Sequence, residues 1–371
     1  MKLGCWADEL VKSGDMSYAL LCVMKSNTLE DPCFPSGDRV IATYPPESSA
    51  QAETVQKSVY YYQVYGLTLA SELAMPHLLV CDEMAGDATP DITIRYGQVP
   101  RSLEGASYGN VNEDSSWQAD PEQFLLHKAG VAGYWAHSRS QVVIEPAPGA
   151  SDRDIRIFLL GSVLGFLLHQ RRILALHASA IRTERGAVLF TGHSGAGKST
   201  TLGAMVQRGC AMLADDVSGI VLDTAGCPQV LPAFPASRLW ADAAEKLHQS
   251  TQGMARVRAD YDKYQVPITH FCSTPVPLLG VYVLTTEQRS DVALKPVESM
   301  AQKFSLLAMN TYREVFIAST GWEKEHFQLI SQMLKSVYVT QVMRPSQSFM
   351  LDELVTSIEQ DIANCPFAER S

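Results

Sequence analysis

The hydrophobic pattern along the chain changes character twice. Up to residue 58 the apolar positions keep no sustained period. Residues 8–12 and 17–25 read as short helices, and Pro32, Pro35, Pro45 and Pro46 with Glu47-Ser48-Ser49 as loop or linker. From residue 59 the texture is β. Tyr60-Tyr61-Tyr62-Gln63-Val64-Tyr65 is rich in strand formers, and Asp91-Ile92-Thr93-Ile94-Arg95-Tyr96-Gly97 alternates and ends in a turn. Residues 124–128, 131–137 and 141–145 follow as a run of hairpin strands closed by Pro146-Ala147-Pro148-Gly149. The tyrosine stripe at 60–65 reads as sheet packing, because strands favour aromatics.

At residue 152 the period becomes helical. Residues 152–171 form a helix, with Asp152 and Asp154 in its first turn and Arg171-Arg172 at its end, as the helix dipole prefers. Residues 173–181 read as one strand carrying His177, 182–185 as a turn, and 186–191 as a buried strand. A helix over 199–208, stopped by Gly209, leads to an apolar strand at 210–214. Further strands are expected at 217–221, 278–285 and 337–343, a proline-fixed loop at 232–240, and helices from 242 and at 299–313, 323–336 and 350–364. Strands alternating with helices give an α/β fold. We therefore expect an ill-defined segment over 1–58, a mainly β domain over 59–150 suited to substrate recognition, and an α/β catalytic domain over 151–371.

Between the strand at 186–191 and the helix at 199–208 lies Gly192-His193-Ser194-Gly195-Ala196-Gly197-Lys198-Ser199, which fits the phosphate-loop pattern G-x-x-x-x-G-K-[ST] in its confirming context of strand, loop and helix. The glycines let backbone N–H groups converge on phosphate oxygens, and the helix N-terminus adds its positive end. Lys198 is expected to reach the β- and γ-phosphates and the Ser199 hydroxyl to ligate Mg²⁺, with Thr200 just beyond. The strand at 210–214 ends in Asp215-Asp216. In open α/β sheets ligands lie beyond the carboxyl ends of the strands. One of these acids can serve the metal and the other can take a proton from an attacking hydroxyl. His177 is either a core histidine or a participant beside the phosphates. Arg238 is either a phosphoryl or acceptor clamp or a structural arginine, and Lys263 is a weaker candidate for a phosphate contact. Asp223-Thr224-Ala225-Gly226 has the form of a GTPase switch tetrapeptide, but its residues are turn formers; with no Asn-Lys-x-Asp element in the chain, a hairpin turn is the better reading.

Composition narrows the partners. The net charge of −10, without any Lys/Arg run, disfavours nucleic acid. The longest apolar run, 157–168, is too short to span a bilayer and reads as a buried helix. Residues 1–11 lack the apolar core of a secretory signal. The eight cysteines are scattered with no C-x-x-C pair, which argues against zinc and fits buried thiols in a reducing cytoplasm.

The order from His177 to Asp216 resembles the kinase domain of HPr kinase/phosphorylase. It runs from a strand with His, through a short turn, a strand, the phosphate loop and a short helix ending Arg208-Gly209, to Ala214-Asp215-Asp216. Leu176-His177-Ala178-Ser179-Ala180, with residues 232–240, is similar to the HPr-kinase-like proteins of biosynthetic clusters, some of which phosphorylate the C-terminal Ser of lasso-peptide precursors. The motif-level match covers roughly 173–240 of the chain, and a looser one extends from Tyr65-Gly66-Leu67 to Asn310-Thr311-Tyr312-Arg313. The resemblance implies an ATP- and Mg²⁺-dependent serine kinase. It implies Asp215 as general base, Lys198 and Ser199 on nucleotide and metal, Asp216 assisting the metal, and His177 beside the acid pair. His193 and Thr200 stand where the HPr enzymes carry Asp and Glu, and the second signature of those enzymes has no counterpart, which points to an acceptor other than HPr. A peptide or protein with a Ser hydroxyl is the implied partner. A homo-oligomer is compatible, since the HPr enzymes are oligomeric. A nucleotide-gated regulatory NTPase and a small-molecule hydroxyl kinase are the alternative readings.

Overall fold

The computed structural model describes residues 58–81, 89–240, 256–258, 261–268, 270–348 and 350–365. The helices read in 8–25, the linker after them and the helix read from 242 lie outside these residues. The chain opens with nine strands: β1 (Tyr60–Val64), β2 (Leu67–Ser71), β3 (Leu79–Val80), β4 (Ile92–Tyr96), β5 (Tyr108–Val111), β6 (Ser115–Ala119), β7 (Gln123–Lys128), β8 (Ala132–His137) and β9 (Gln141–Pro146). They form one mixed sheet in the order β3-β1-β2-β4-β9-β8-β7-β6-β5. β5 and β6 were not legible in the pattern. β5 is exposed throughout and β6 mostly half-buried, so neither needs the apolar alternation that marks a strand in sequence.

The helix expected over 152–171 forms with one irregularity. α1 (Asp152–Phe158) is capped by Ser151, whose hydroxyl accepts from the Asp154 N–H; a π turn spans Leu159–Val163, and α2 (Leu164–Gln170) follows. All seven residues of α2 are buried, as an all-round apolar helix requires. Ile155, Leu159, Val163 and Phe166 join a core that also takes side chains from the first sheet and from the strands that follow. Among the described residues no helix is long and apolar enough to cross a membrane.

After α2 come β10 (Leu174–Leu176), β11 (Ala178–Thr183), β12 (Gly186–Thr191), α3 (Lys198–Gln207), β13 (Ala211–Ala214), β14 (Ser218–Leu222) and β15 (Pro228–Leu231). A three-stranded sheet of β16 (Ala236–Trp240), β17 (Arg256–Arg258) and β18 (Tyr261–Pro267) is followed by β19 (Val276–Glu287) and β20 (Ala293–Pro296). The chain then lays down α4 (Met300–Ala308), α5 (Val315–Ser319), α6 (Glu323–Met333), β21 (Tyr338–Pro345) and α7 (Leu351–Asn364). The second large sheet runs β10-β14-β15-β19-β12-β11-β13, with β21 on β19 and β20 on β21. β12, β19 and β21 are parallel, and β13 and β12 each lie antiparallel to β11. The carboxyl ends of β12, β13, β19 and β21 therefore reach one edge. Successive residues of β12 face opposite cores: Ala187 and Leu189 meet the side of the first sheet, while Val188 and Phe190 meet the side of α3 and α7. A strand buried on both faces reads as an unbroken apolar run, which is why β12 was plain in the sequence.

Three expectations need correction. Residues 173–181 are two strands, broken by a bend at His177, because β10 pairs with β14 while β11 pairs with β12 and β13. Residues 232–240 stay irregular only to Pro235, and β16 then pairs with β18. The helix expected to reach 313 stops at Ala308, since the chain must turn to bring Thr311 against Leu176.

That turn is tied down on several sides. The His177 N–H donates to the Asn310 carbonyl at 2.7 Å and the Tyr312 N–H to the Ala175 carbonyl at 2.8 Å. His169 Nε2–H donates to the Tyr312 carbonyl at 2.7 Å, and the Thr311 hydroxyl lies 3.1 Å from His326 Nε2. Gly165 makes room for the ring, because a Cβ there would stand 2.7 Å from Tyr312 Cε1. Burial pushes both histidines down from 6.5 to about 4, and in His326 the neighbouring His169 adds to the effect. Unfolded histidines take up protons near 6.5, so the unfolded chain binds more protons between there and pH 4. This contribution is complete above about pH 6.5 and is lost as pH falls through 4. Urea unfolding as a function of pH checks it. In that window the wild-type stability should fall more steeply than that of His326→Gln, by up to about 1.4 kcal/mol per pH unit.

Candidate active site

The phosphate loop starts where β12 ends. Gly192 has φ +140 and lies so close to β19 that a Cβ would stand 2.4 Å from the Leu284 carbonyl oxygen. The turn closes with the Ala196 N–H donating to the His193 carbonyl at 3.1 Å. Gly197 precedes α3 with φ +104, and no side chain caps the helix, so its first N–H groups face the loop. His193, Ser194 and Gly195 are exposed, while Ala196, Lys198 and Thr200 are buried. The His193 ring folds onto its own loop through Nδ1, 2.8 Å from the Ser194 carbonyl. Lys198 Nζ donates to the carbonyls of Gly192 at 2.9 Å and His193 at 3.2 Å, which holds its charge at the mouth of the loop.

Asp215 follows β13 and is 6% exposed. Three hydroxyls from three elements donate to its carboxylate. Ser179 of β11 reaches Oδ1 at 2.6 Å, Ser199 of α3 reaches the same oxygen at 2.9 Å, and Ser237 of β16 reaches Oδ2 at 2.7 Å.

Asp216 sits at φ +71, a conformation that Asp tolerates better than most residues, so the two adjacent carboxylates diverge. His177 Nδ1 lies 2.8 Å from the Asp216 carbonyl oxygen and 3.7 Å from Oδ1. A carbonyl only accepts, so Nδ1 carries a proton and donates it. The bend that places His177 is also held by Thr191, whose hydroxyl donates to the His177 carbonyl at 3.0 Å.

The structure thus gathers residues 192–200, His177, Asp215 and Asp216 at one sheet edge. Arg238 and Lys263 lie on the three-stranded sheet, opposite Gln265 and Trp240 in register; their side chains are outside the described residues. Asp223-Thr224-Ala225-Gly226 closes the β14–β15 hairpin, with the Gly226 N–H donating to the Asp223 carbonyl at 2.9 Å.

Three residues escaped the sequence reading: Ser179, Ser237 and Arg344. Ser179 and Ser237 are at most 1% exposed. A lone hydroxyl in a buried strand must find an acceptor, and that was the available signal. Arg344 lies near the end of β21, 7% exposed, and donates from Nε to the Ala196 carbonyl at 3.0 Å and from Nη2 to the Gly195 carbonyl at 3.3 Å. Burial lowers its pKa from the ordinary value. A single charge near the end of an apolar parallel strand was the clue there.

Among the described residues no group of three His, Cys, Asp or Glu side chains converges on a metal site. The hard oxygen donors present, the Ser199 hydroxyl and the two Asp carboxylates, suit a Mg²⁺ held largely by substrate phosphates.

No family model and no curated protein matches the chain. Among solved structures, the HPr(Ser) kinase/phosphatase from Coxiella burnetii is similar at 11% identity and a TM-score of 0.26, over 51% of this chain and 97% of that one. An overlap of that quality carries no argument about activity, which rests on the side-chain geometry.

The geometry at Gly192 makes a direct prediction. Gly192→Ala places a methyl against the Leu284 carbonyl and forces a positive φ on a residue with a Cβ, so the loop must shift. Amide hydrogen exchange across the loop should speed about tenfold while circular dichroism stays unchanged, since strained non-glycine backbone costs about 1–3 kcal/mol.

Proposed function

We propose that this protein is an ATP- and Mg²⁺-dependent kinase that transfers the γ-phosphoryl group to a serine hydroxyl of a peptide or protein. One observation carries the reading: the phosphate-loop Ser199 and the strand-end Asp215 meet at 2.9 Å, which sets a phosphate cradle and a proton acceptor side by side.

The roles follow from the positions. The loop N–H groups and the start of α3 cradle the phosphates. Lys198 exchanges the Gly192 and His193 carbonyls for β- and γ-phosphate oxygens, a short reorientation from where it is held. Ser199 and Asp216 would hold Mg²⁺, which when bound neutralises charge on the phosphates. Asp215 already accepts from hydroxyls, and it takes the proton of the acceptor hydroxyl. The acceptor oxygen bonds to the γ-phosphorus as the bond to the β-phosphate oxygen breaks, and ADP leaves. His177 fixes the turn that carries both acids through its bond to the Asp216 carbonyl. Arg238 serves as a clamp on the phosphoryl group or acceptor, with Lys263 as a weaker contact. The C-terminal Ser of a lasso-peptide precursor is the acceptor we favour. The regulatory NTPase reading shares the glycine-rich loop but loses its second supporting feature, since the Asp223–Gly226 tetrapeptide closes a hairpin.

Incubation with ATP labelled in the γ-phosphate and a pool of peptides ending in Ser tests this. Label should enter the peptides. Asp215→Asn should cut transfer by at least about a hundredfold while nucleotide affinity holds, and Lys198→Ala should weaken nucleotide binding itself. Release of phosphate with no labelled peptide would overturn the reading in favour of an NTPase, and label on small hydroxyl compounds alone would move the acceptor class.

A further inference from the structure

The three-stranded sheet leaves and rejoins the molecule beside the strand that ends in Asp215. On the way out, the Ala233 N–H donates to the Leu213 carbonyl at 2.8 Å. On the way back, the Met212 N–H donates to the His270 carbonyl and the Cys272 N–H to the Met212 carbonyl, both at 2.8 Å. Both roots of the sheet are thus fastened to β13. Beyond the end of β13 a bond between described residues joins the two: Ser237 Oγ on Asp215 Oδ2 at 2.7 Å, with serine and carboxylate both buried.

We propose that Ser237 is a positioning residue that latches the three-stranded sheet onto Asp215, coupling the placement of that sheet to the orientation of the catalytic carboxylate. Three points carry this. The bond is to a charged acceptor and buried, the strongest kind available to a hydroxyl. Of the three hydroxyl bonds described at Asp215 it reaches Oδ2, while Ser179 and Ser199 both take Oδ1, so Ser237 opposes rotation of the carboxylate about its Cβ–Cγ bond. Finally, Ser237 belongs to an element outside the large sheet, whereas Ser179 and Ser199 come from the framework of the phosphate site itself. A sheet displaced from its seat withdraws this Oδ2 donor and loosens the hold on the carboxylate. In its seat it holds the carboxylate in one orientation. This role rests on the kinase reading for its catalytic consequence, but the latch exists or fails without it.

Amide hydrogen exchange on the nucleotide-free protein tests the latch directly. Asp215→Ala should speed exchange across Ala236–Trp240 about tenfold or more, Ser237→Ala should do the same, and the double variant should add little, since both remove one hydrogen bond to a charged group. Ser237→Thr, which keeps the hydroxyl, should restore protection. In the peptide assay, Ser237→Ala should lower kcat about tenfold with KM for ATP unchanged, and Ser237→Thr should recover it. Unaltered exchange over Ala236–Trp240 in Asp215→Ala would overturn the latch whether or not the protein transfers phosphate. A wild type that transfers no label while showing the coupled exchange would leave the latch standing and remove the kinase reading alone.

Discussion

A carboxylate buried to 6% exposure needs hydrogen bonds to replace its lost water. Asp215 meets that condition with three serine hydroxyls from three separate elements, and much of the architecture serves their convergence. β11 must lie between β12 and β13 to bring Ser179 across. α3 must start at the loop to present Ser199, and β16 must fold back over the end of β13 to deliver Ser237. The price of shifting any of these would be a buried charge with fewer donors, so the acid fixes the relative position of strand, helix and outer sheet.

The same edge explains the loop. Parallel β12 and β19 bring the Leu284 carbonyl against Gly192, where only a residue without a Cβ fits. β21, parallel to β19, brings Arg344 to the carbonyls of Gly195 and Ala196 from the far side. With Lys198 on the carbonyls of Gly192 and His193, two cations hold the loop by its oxygen atoms. Shape and charge here come from the ends of parallel strands, the place where α/β sheets collect their ligands.

The phosphate loop, its flanking strand and helix, and the acid pair were legible because each is local: an apolar run buried on both faces, a fixed glycine spacing, two acids directly after a strand. The serines around Asp215 were not. Ser179 and Ser237 lie 36 and 22 residues from it, and a tertiary hydrogen bond over that span leaves no periodic trace. Arg344 is 148 residues from the carbonyl it grips. The break at His177 was invisible for a related reason: both halves of 173–181 carry strand residues, and only their different pairing partners bend the chain between them.

The central claim is that the loop and the Asp215 cluster form one metal–nucleotide site. Calorimetric titration with ATP, run with and without Mg²⁺ on the wild type and on Ser199→Ala, tests it most directly. The account predicts that Mg²⁺ tightens ATP binding at least about tenfold in the wild type and that the gain vanishes in Ser199→Ala. ATP binding indifferent to Mg²⁺, or no ATP binding at all, would contradict it.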